Sequence, residues 1–191
     1  MSIVSYIVLA LALGISSMLL FRRCGEAAPV RLSAGLLTVV LVSAIHVGLF
    51  LLGHLLGSLL CLYSPTDPHM YDDFNAYIFL GITMAVVIKL IVPYLRREPS
   101  LAVFDLRSGR AVLAMAAATG INVLLIGIGA GFVESGNAVH KIIWPLLTAD
   151  ILLGYLGLMF GRRKVVLRPR RWMIVCCVLL LGVAIAATVN A

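Results

Sequence analysis

The chain has 191 residues, of which 62% are hydrophobic and only 12% charged, and its mean hydropathy is +1.11. So few charges cannot cover a soluble surface, which excludes a soluble globular domain and leaves a polytopic membrane protein. The net charge of +7 would point to nucleic acid in a soluble protein. In a membrane protein it is read by position first, because cytoplasmic loops concentrate Lys and Arg.

Six apolar stretches reach the roughly 20 residues needed to span a bilayer: 2–21, 33–60, 74–95, 111–133, 139–161 and 172–190. The expected fold is all-α, with six transmembrane helices. In the first stretch the apolar run precedes Arg22 and Arg23, the order of a span with its N-terminus outside rather than of a signal peptide. The second is over-long, so it is expected to tilt or run beyond the bilayer.

The connections set the orientation. Arg22, Arg23 and Arg31 follow the first span; Arg96, Arg97, Arg107 and Arg110 follow the third; Arg162, Arg163, Lys164, Arg168, Arg170 and Arg171 follow the fifth. Thirteen of the fifteen basic residues thus lie in alternate loops. The second loop carries Asp67, Asp72 and Asp73 and no basic residue, and the short fourth surrounds Glu134. The odd loops are therefore expected in the cytoplasm with both termini outside, and the basic excess reads as topology, with no nucleic-acid partner.

An internal repeat is expected from two matches. Gly14-Ile15-Ser16 aligns with Gly120-Ile121-Asn122, and the Gly53/Gly57 region aligns with Gly157/Gly161. The offsets, 106 and 104, nearly agree. Residues 1–95 then form one three-helix repeat, 96–110 a basic cytoplasmic linker, and 111–191 a second repeat. Three being odd, the repeats are expected to be inverted, which puts a transport site at the membrane midplane between them. The register pairs Ser16 with Asn122 and His46 with Asp150.

Polar groups inside spans carry the functional signal, because each is costly unless paired or hydrated. Asp150 lies far from either end of its span and is the strongest; its plain alternative is an ion pair with Lys89 or His46, or a protonated acid. His46, Ser16 and Asn122 can serve as interhelical hydrogen-bond partners, and Thr119 is a further polar residue in the fourth span. Lys89 can snorkel to the cytoplasmic surface or gate the path, and His54 is expected at the outer interface. A carboxylate, an imidazole, an amide oxygen and a hydroxyl also make a shell for a divalent cation. On that reading Asp150, His46, Asn122 and Ser16 are the metal ligands, with Lys89 and Thr119 on the pathway. Binding then needs Asp150 ionised and His46 neutral, so acid weakens it and transport couples to protons. Met18, Met84, Met115 and Met159 are expected to pack rather than ligate. Gly53, Gly57, Gly120, Gly127, Gly131, Gly157 and Gly161 are expected to let helices approach closely. The cysteines Cys24, Cys61, Cys176 and Cys177 form no CxxC or zinc-finger spacing, so neither a thiol-redox centre nor a structural zinc site is expected.

Ala118-Thr119-Gly120-Ile121-Asn122 followed by Gly127-Ile128-Gly129, together with Leu156-Gly157-Leu158-Met159-Phe160-Gly161-Arg162 and the basic Lys89, resembles the MntP-type manganese efflux pump family of the LysE exporter superfamily. His46 falls where that family has Gln or Glu. The family's helix-4 acid corresponds to Asn122, and its helix-1 acid has no counterpart, Ser16 being nearest. The resemblance implies a bacterial inner-membrane exporter with Mn²⁺ or another divalent cation as transported substrate and no tightly bound cofactor. Two alternatives stand beside it: export of an amino acid or other small organic cation, and a non-transporting membrane interaction protein. No nucleophile–base pair, Walker loop or cofactor motif points to an enzyme. The lipid bilayer is the expected surrounding, and a homo-oligomer is left open.

Overall fold

A computed structural model describes residues 2–27, 31–62, 68–95, 104–133, 140–166 and 168–189. They form six α-helices: α1 (Ile3–Ala27), α2 (Leu32–Leu62), α3 (Pro68–Leu95), α4 (Gly109–Val133), α5 (His140–Arg162) and α6 (Pro169–Val189). There is no strand among the described residues. All six are long and apolar enough to cross a membrane. Large apolar side chains such as Leu37, Trp144 and Leu152 face outward, the pattern expected where lipid replaces water as the solvent. Asp67, Glu134, Arg96 and Arg97 lie outside the described residues.

Local chemistry sets the helix ends. Ser2 caps α1, its Oγ accepting from the Ser5 amide at 3.2 Å. Before α4, Asp105 Oδ1 accepts from the Arg107 amide at 2.9 Å, and the Ser108 amide bonds the Asp105 carbonyl at 3.1 Å. This Asx turn ends the connecting segment and starts the helix at Gly109. At the end of α5 the Val165 amide bonds the Phe160 carbonyl and the Lys164 amide bonds the Gly161 carbonyl, both at 3.0 Å. Those two bonds make a Schellman cap, with Lys164 in the left-handed region at φ 50°.

Two helices run six residues past their expected spans. α1 continues past Phe21 to Ala27, because Cys24 and Gly25 are buried and Gly25 packs on the Leu158 carbonyl of α5. α3 starts at Pro68, where a proline without an amide hydrogen fits a first turn. A helix is bounded by its caps and neighbours, not by the edge of its apolar run.

The most extensive contacts are α1 with α5 and α2 with α4; α6 packs on α1 and α3 on α4, α3 and α6 touch each other about as extensively, and α2 meets α5. The principal pairs are glycine-mediated. Gly157 and Gly161 of α5 rest on the backbone at Met18 and Arg22 of α1, while Gly53 and Gly57 of α2 rest on Leu124 and Ile128 of α4. In return Gly127 and Gly131 of α4 rest on the carbonyls of Phe50 and His54. Gly120 meets the side chain of Leu49, and Gly14 that of Leu153. A Cβ at any of these positions would overlap its neighbour, so absence of a side chain is what permits backbone-level approach.

Candidate functional site

Where α2, α4 and α5 meet, three polar side chains form one chain of hydrogen bonds. His46 and Asp150 are almost fully buried, 2% and 1% exposed. His46 Nδ1 lies 2.9 Å from Asp150 Oδ2, and His46 Nε2 lies 2.9 Å from Thr119 Oγ1. The Thr119 hydroxyl donates to the Met115 carbonyl one turn back at 2.8 Å. Of the partners weighed for Asp150, the structure selects His46; Lys89 is exposed and does not reach it. A buried carboxylate is tolerated here because imidazole and hydroxyl satisfy it directly and indirectly.

The other two expected ligands lie apart from that pair. Ser16 and Asn122, with Thr119 and Lys89, line a cavity of about 360 Å³ bounded by α1, α3, α4 and α6. It extends from Ser16 and Asn122 in mid-helix to Arg23, Pro93, Tyr94 and Phe104 at the ends adjoining the first and third loops. Asn122 Oδ1 is buried and without a hydrogen-bond partner among the described residues. Ser16 donates to the Leu13 carbonyl at 2.6 Å, which leaves its oxygen lone pairs toward neighbours. Arg23 stacks on Tyr94, its guanidinium carbon 5.8 Å from the ring centroid, so its N–H edge rather than its face is available to a ligand. Leu19, Leu20, Leu90 and Met173 supply apolar wall. No acid is among the described residues lining the cavity.

The expected four-ligand shell is therefore split. Both ring nitrogens of His46 are engaged within the protein, and no group of three or more His, Cys, Asp or Glu suited to a metal occurs among the described residues. His46 and Asp150 form an internal pair, while Ser16 and Asn122 face a cavity whose charges are positive. Thr119 belongs to both. His54 is 8% exposed with its ring tilted against Phe50, where α2 is held against α4 at Gly131. Met115 takes a contact from the Cys24 thiol at 3.8 Å, a packing role.

Sequence reasoning missed Arg23, Tyr94, Phe104 and Met173 as cavity residues. In the sequence Arg23 reads as one of the basic residues that set topology, and nothing in an apolar run distinguishes a cavity-facing Met from a packed one. Compared with family models, curated proteins and solved structures, the chain matches none.

Proposed function

We propose that the chain is a secondary exporter of the bacterial inner membrane, with both termini outside, and that it moves a small amphoteric solute through the cavity between α1, α3, α4 and α6. Two inverted three-helix repeats build it. The support is one register throughout: the α5–α1 contacts Gly157–Met18 and Gly161–Arg22 become the α2–α4 contacts Gly53–Leu124 and Gly57–Ile128 on shifting by the same 106 and 104 positions. Gly14–Leu153 likewise becomes Gly120–Leu49, and His46–Asp150 is the pair on the pseudo-two-fold. The orientation rests on the thirteen basic residues of the odd loops.

The observation that carries the substrate class is the cavity's described lining: Arg23 and Lys89 with no acid among the described residues, and Asn122, whose Oδ1 has no hydrogen-bond partner among them. A carboxylate suits the basic mouth, an amine suits the Asn122 oxygen, and a modest apolar body suits the Leu and Met walls. That is the chemistry of a zwitterionic amino acid. A divalent cation, the first expectation from sequence, fits less well. Two unit charges about 4 Å apart interact by about 4 kcal/mol at an effective dielectric of about 20, and a dication doubles this repulsion from each basic group.

The test is flux in proteoliposomes holding the full chain, with radiolabelled leucine first, then other neutral amino acids, and manganese(II) as a separate arm. Leucine-class flux is expected. Arg23→Gln is expected to lower it about tenfold or more, the loss of one charge-assisted hydrogen bond. Manganese flux without amino-acid flux would overturn the substrate class, and no flux of either would leave only the membrane-interaction reading.

A further inference from the structure

We infer that His46, Asp150 and Thr119 are a proton-carrying site, distinct from the groups that face the solute and linked to them by the Thr119 hydroxyl. The inference rests on the transport reading above. It starts from a count of hydrogens. Thr119 has one hydroxyl hydrogen and two acceptors within reach of it, the Met115 carbonyl at 2.8 Å and His46 Nε2 at 2.9 Å. With that hydrogen on the carbonyl, the oxygen can only accept from the ring, and Nε2 carries a hydrogen. On the other side of the ring, Nδ1 and Asp150 Oδ2 are also 2.9 Å apart. Two bare acceptors repel at that distance, so one further hydrogen lies between them.

The pair therefore stores a single exchangeable proton. On nitrogen it gives imidazolium with carboxylate; on oxygen it gives imidazole with carboxylic acid. Both forms are neutral overall, which is why the pair is tolerated at full burial. Loss of that proton to solvent leaves imidazole, carboxylate and one net negative charge. The remaining ring hydrogen is then best placed on Nδ1, donating to Asp150. Nε2 becomes an acceptor, and the Thr119 hydrogen must leave the Met115 carbonyl to donate to it. Proton loss thus rotates the Thr119 hydroxyl, and Thr119 lines the solute cavity beside Asn122. Proton occupancy on one side of α4 is converted into hydrogen-bond polarity on the other.

Neighbouring charges do not confuse this site. Arg22, Arg23 and Glu26 lie in the last turns of α1, Arg110 in the first turn of α4, and Lys141 and Arg162 at the two ends of α5. His54 is about two turns along α2, and Tyr155 lies further along α5. Lys89 of α3 lines the cavity, beyond Thr119.

The experiment has a solute-free part and a flux part, both on the full chain in lipid vesicles. Nitrogen NMR of His46 and infrared difference spectra are taken across the ordinary histidine range, about pH 5 to 8. Expected are a hydrogen on Nε2 in the proton-loaded form, transfer of the ring hydrogen to Nδ1 on unloading, and a carboxyl change lost in Asp150→Asn. A His46 ring that holds a bare Nε2 at every pH, or an infrared change that survives Asp150→Asn, overturns the site. In the flux part, vesicles containing a pH dye are given a gradient of radiolabelled leucine. Wild type and Thr119→Ser are expected to move protons with it, and Thr119→Val to show about a tenfold fall in protons per leucine. Leucine flux without proton flux in wild type overturns this inference and leaves the exporter reading standing. Absence of leucine, other amino-acid and manganese(II) flux overturns the exporter reading, and the spectra then decide the proton site alone.

Discussion

At the scale of single residues, the buried pair makes opposite forecasts for two substitutions at one position. Asp150→Asn keeps a group that can donate to His46 Nδ1, so the fold is expected to hold, with thermal stability close to wild type. Asp150→Ala leaves the imidazole buried without that partner, and a loss of about 1–3 kcal/mol is expected. Urea or thermal unfolding in detergent reads the difference; equal stability of the two variants would mean the pair is not formed. Asn122 allows a forecast about chemistry. Asn122→Asp puts an acid into a cavity wall that has none among the described residues, at the position where the resembled family has a carboxylate. Manganese(II) binding, read by calorimetry, is expected to tighten by about tenfold or more, with leucine flux falling. Asp150, His46, Asn122 and Ser16 were legible in the sequence because a polar group in a 20-residue apolar run has nowhere to hide. Their division into a pair and a cavity was not, since ring orientation and the Thr119 bridge depend on how α2, α4 and α5 cross.

At the scale of elements, glycines separate into two kinds that spacing alone does not distinguish. Gly53, Gly57, Gly127, Gly131, Gly157 and Gly161 touch a neighbouring backbone, whereas nothing lies within 4 Å of a Cβ added at Gly48, Gly81 or Gly182. Gly157→Val and Gly53→Val are each expected to part a helix pair, at a cost above about 2 kcal/mol, and to do so alike if the two pairs are equivalent. Gly182→Ala is expected to be neutral or to stabilise α6 by about 0.5–1 kcal/mol. Melting temperatures of the purified variants check both, and a tolerated Gly157→Val would undo the tight α1–α5 contact. The cap of α5 offers an independent check: Lys164 occupies a left-handed position that disfavours side chains by about 1 kcal/mol, so Lys164→Gly is expected to stabilise. Helix number and order followed from hydropathy alone. The extensions of α1 to Ala27 and of α3 back to Pro68 did not, because contact with Leu158 and a proline first turn hold them, and neither depends on apolar periodicity.

At the scale of the whole molecule, the contacts pair α1 with α5 and α2 with α4 most extensively, each pair drawing one helix from either half of the chain, while α3 and α6 touch each other as much as they touch α4 and α1. Neither pair follows sequence order: the offsets of 106 and 104 relate α1 to α4 and α2 to α5, and only packing shows which helices hold together. Ser16 and Arg23 of α1, Lys89 and Tyr94 of α3, Asn122 of α4 and Met173 of α6 line the cavity. Glycine contacts lock α1 to α5 and α2 to α4, while α2 meets α5 less extensively. On the transport reading, alternating access is expected by rocking of the α1–α5 pair against the α2–α4 pair, with the His46–Asp150 contact between α2 and α5 near the axis. Cross-linking tests it directly. With native cysteines replaced, a short bifunctional maleimide joining Leu19→Cys of α1 to Ala118→Cys of α4, both lining the cavity, is expected to stop leucine flux. The same reagent joining Leu11→Cys to Leu152→Cys, on α1 and α5 of one pair and lining one surface pocket, is expected to leave flux within about twofold. Arrest by the second link and not the first would mean that the two helix pairs are not the moving parts.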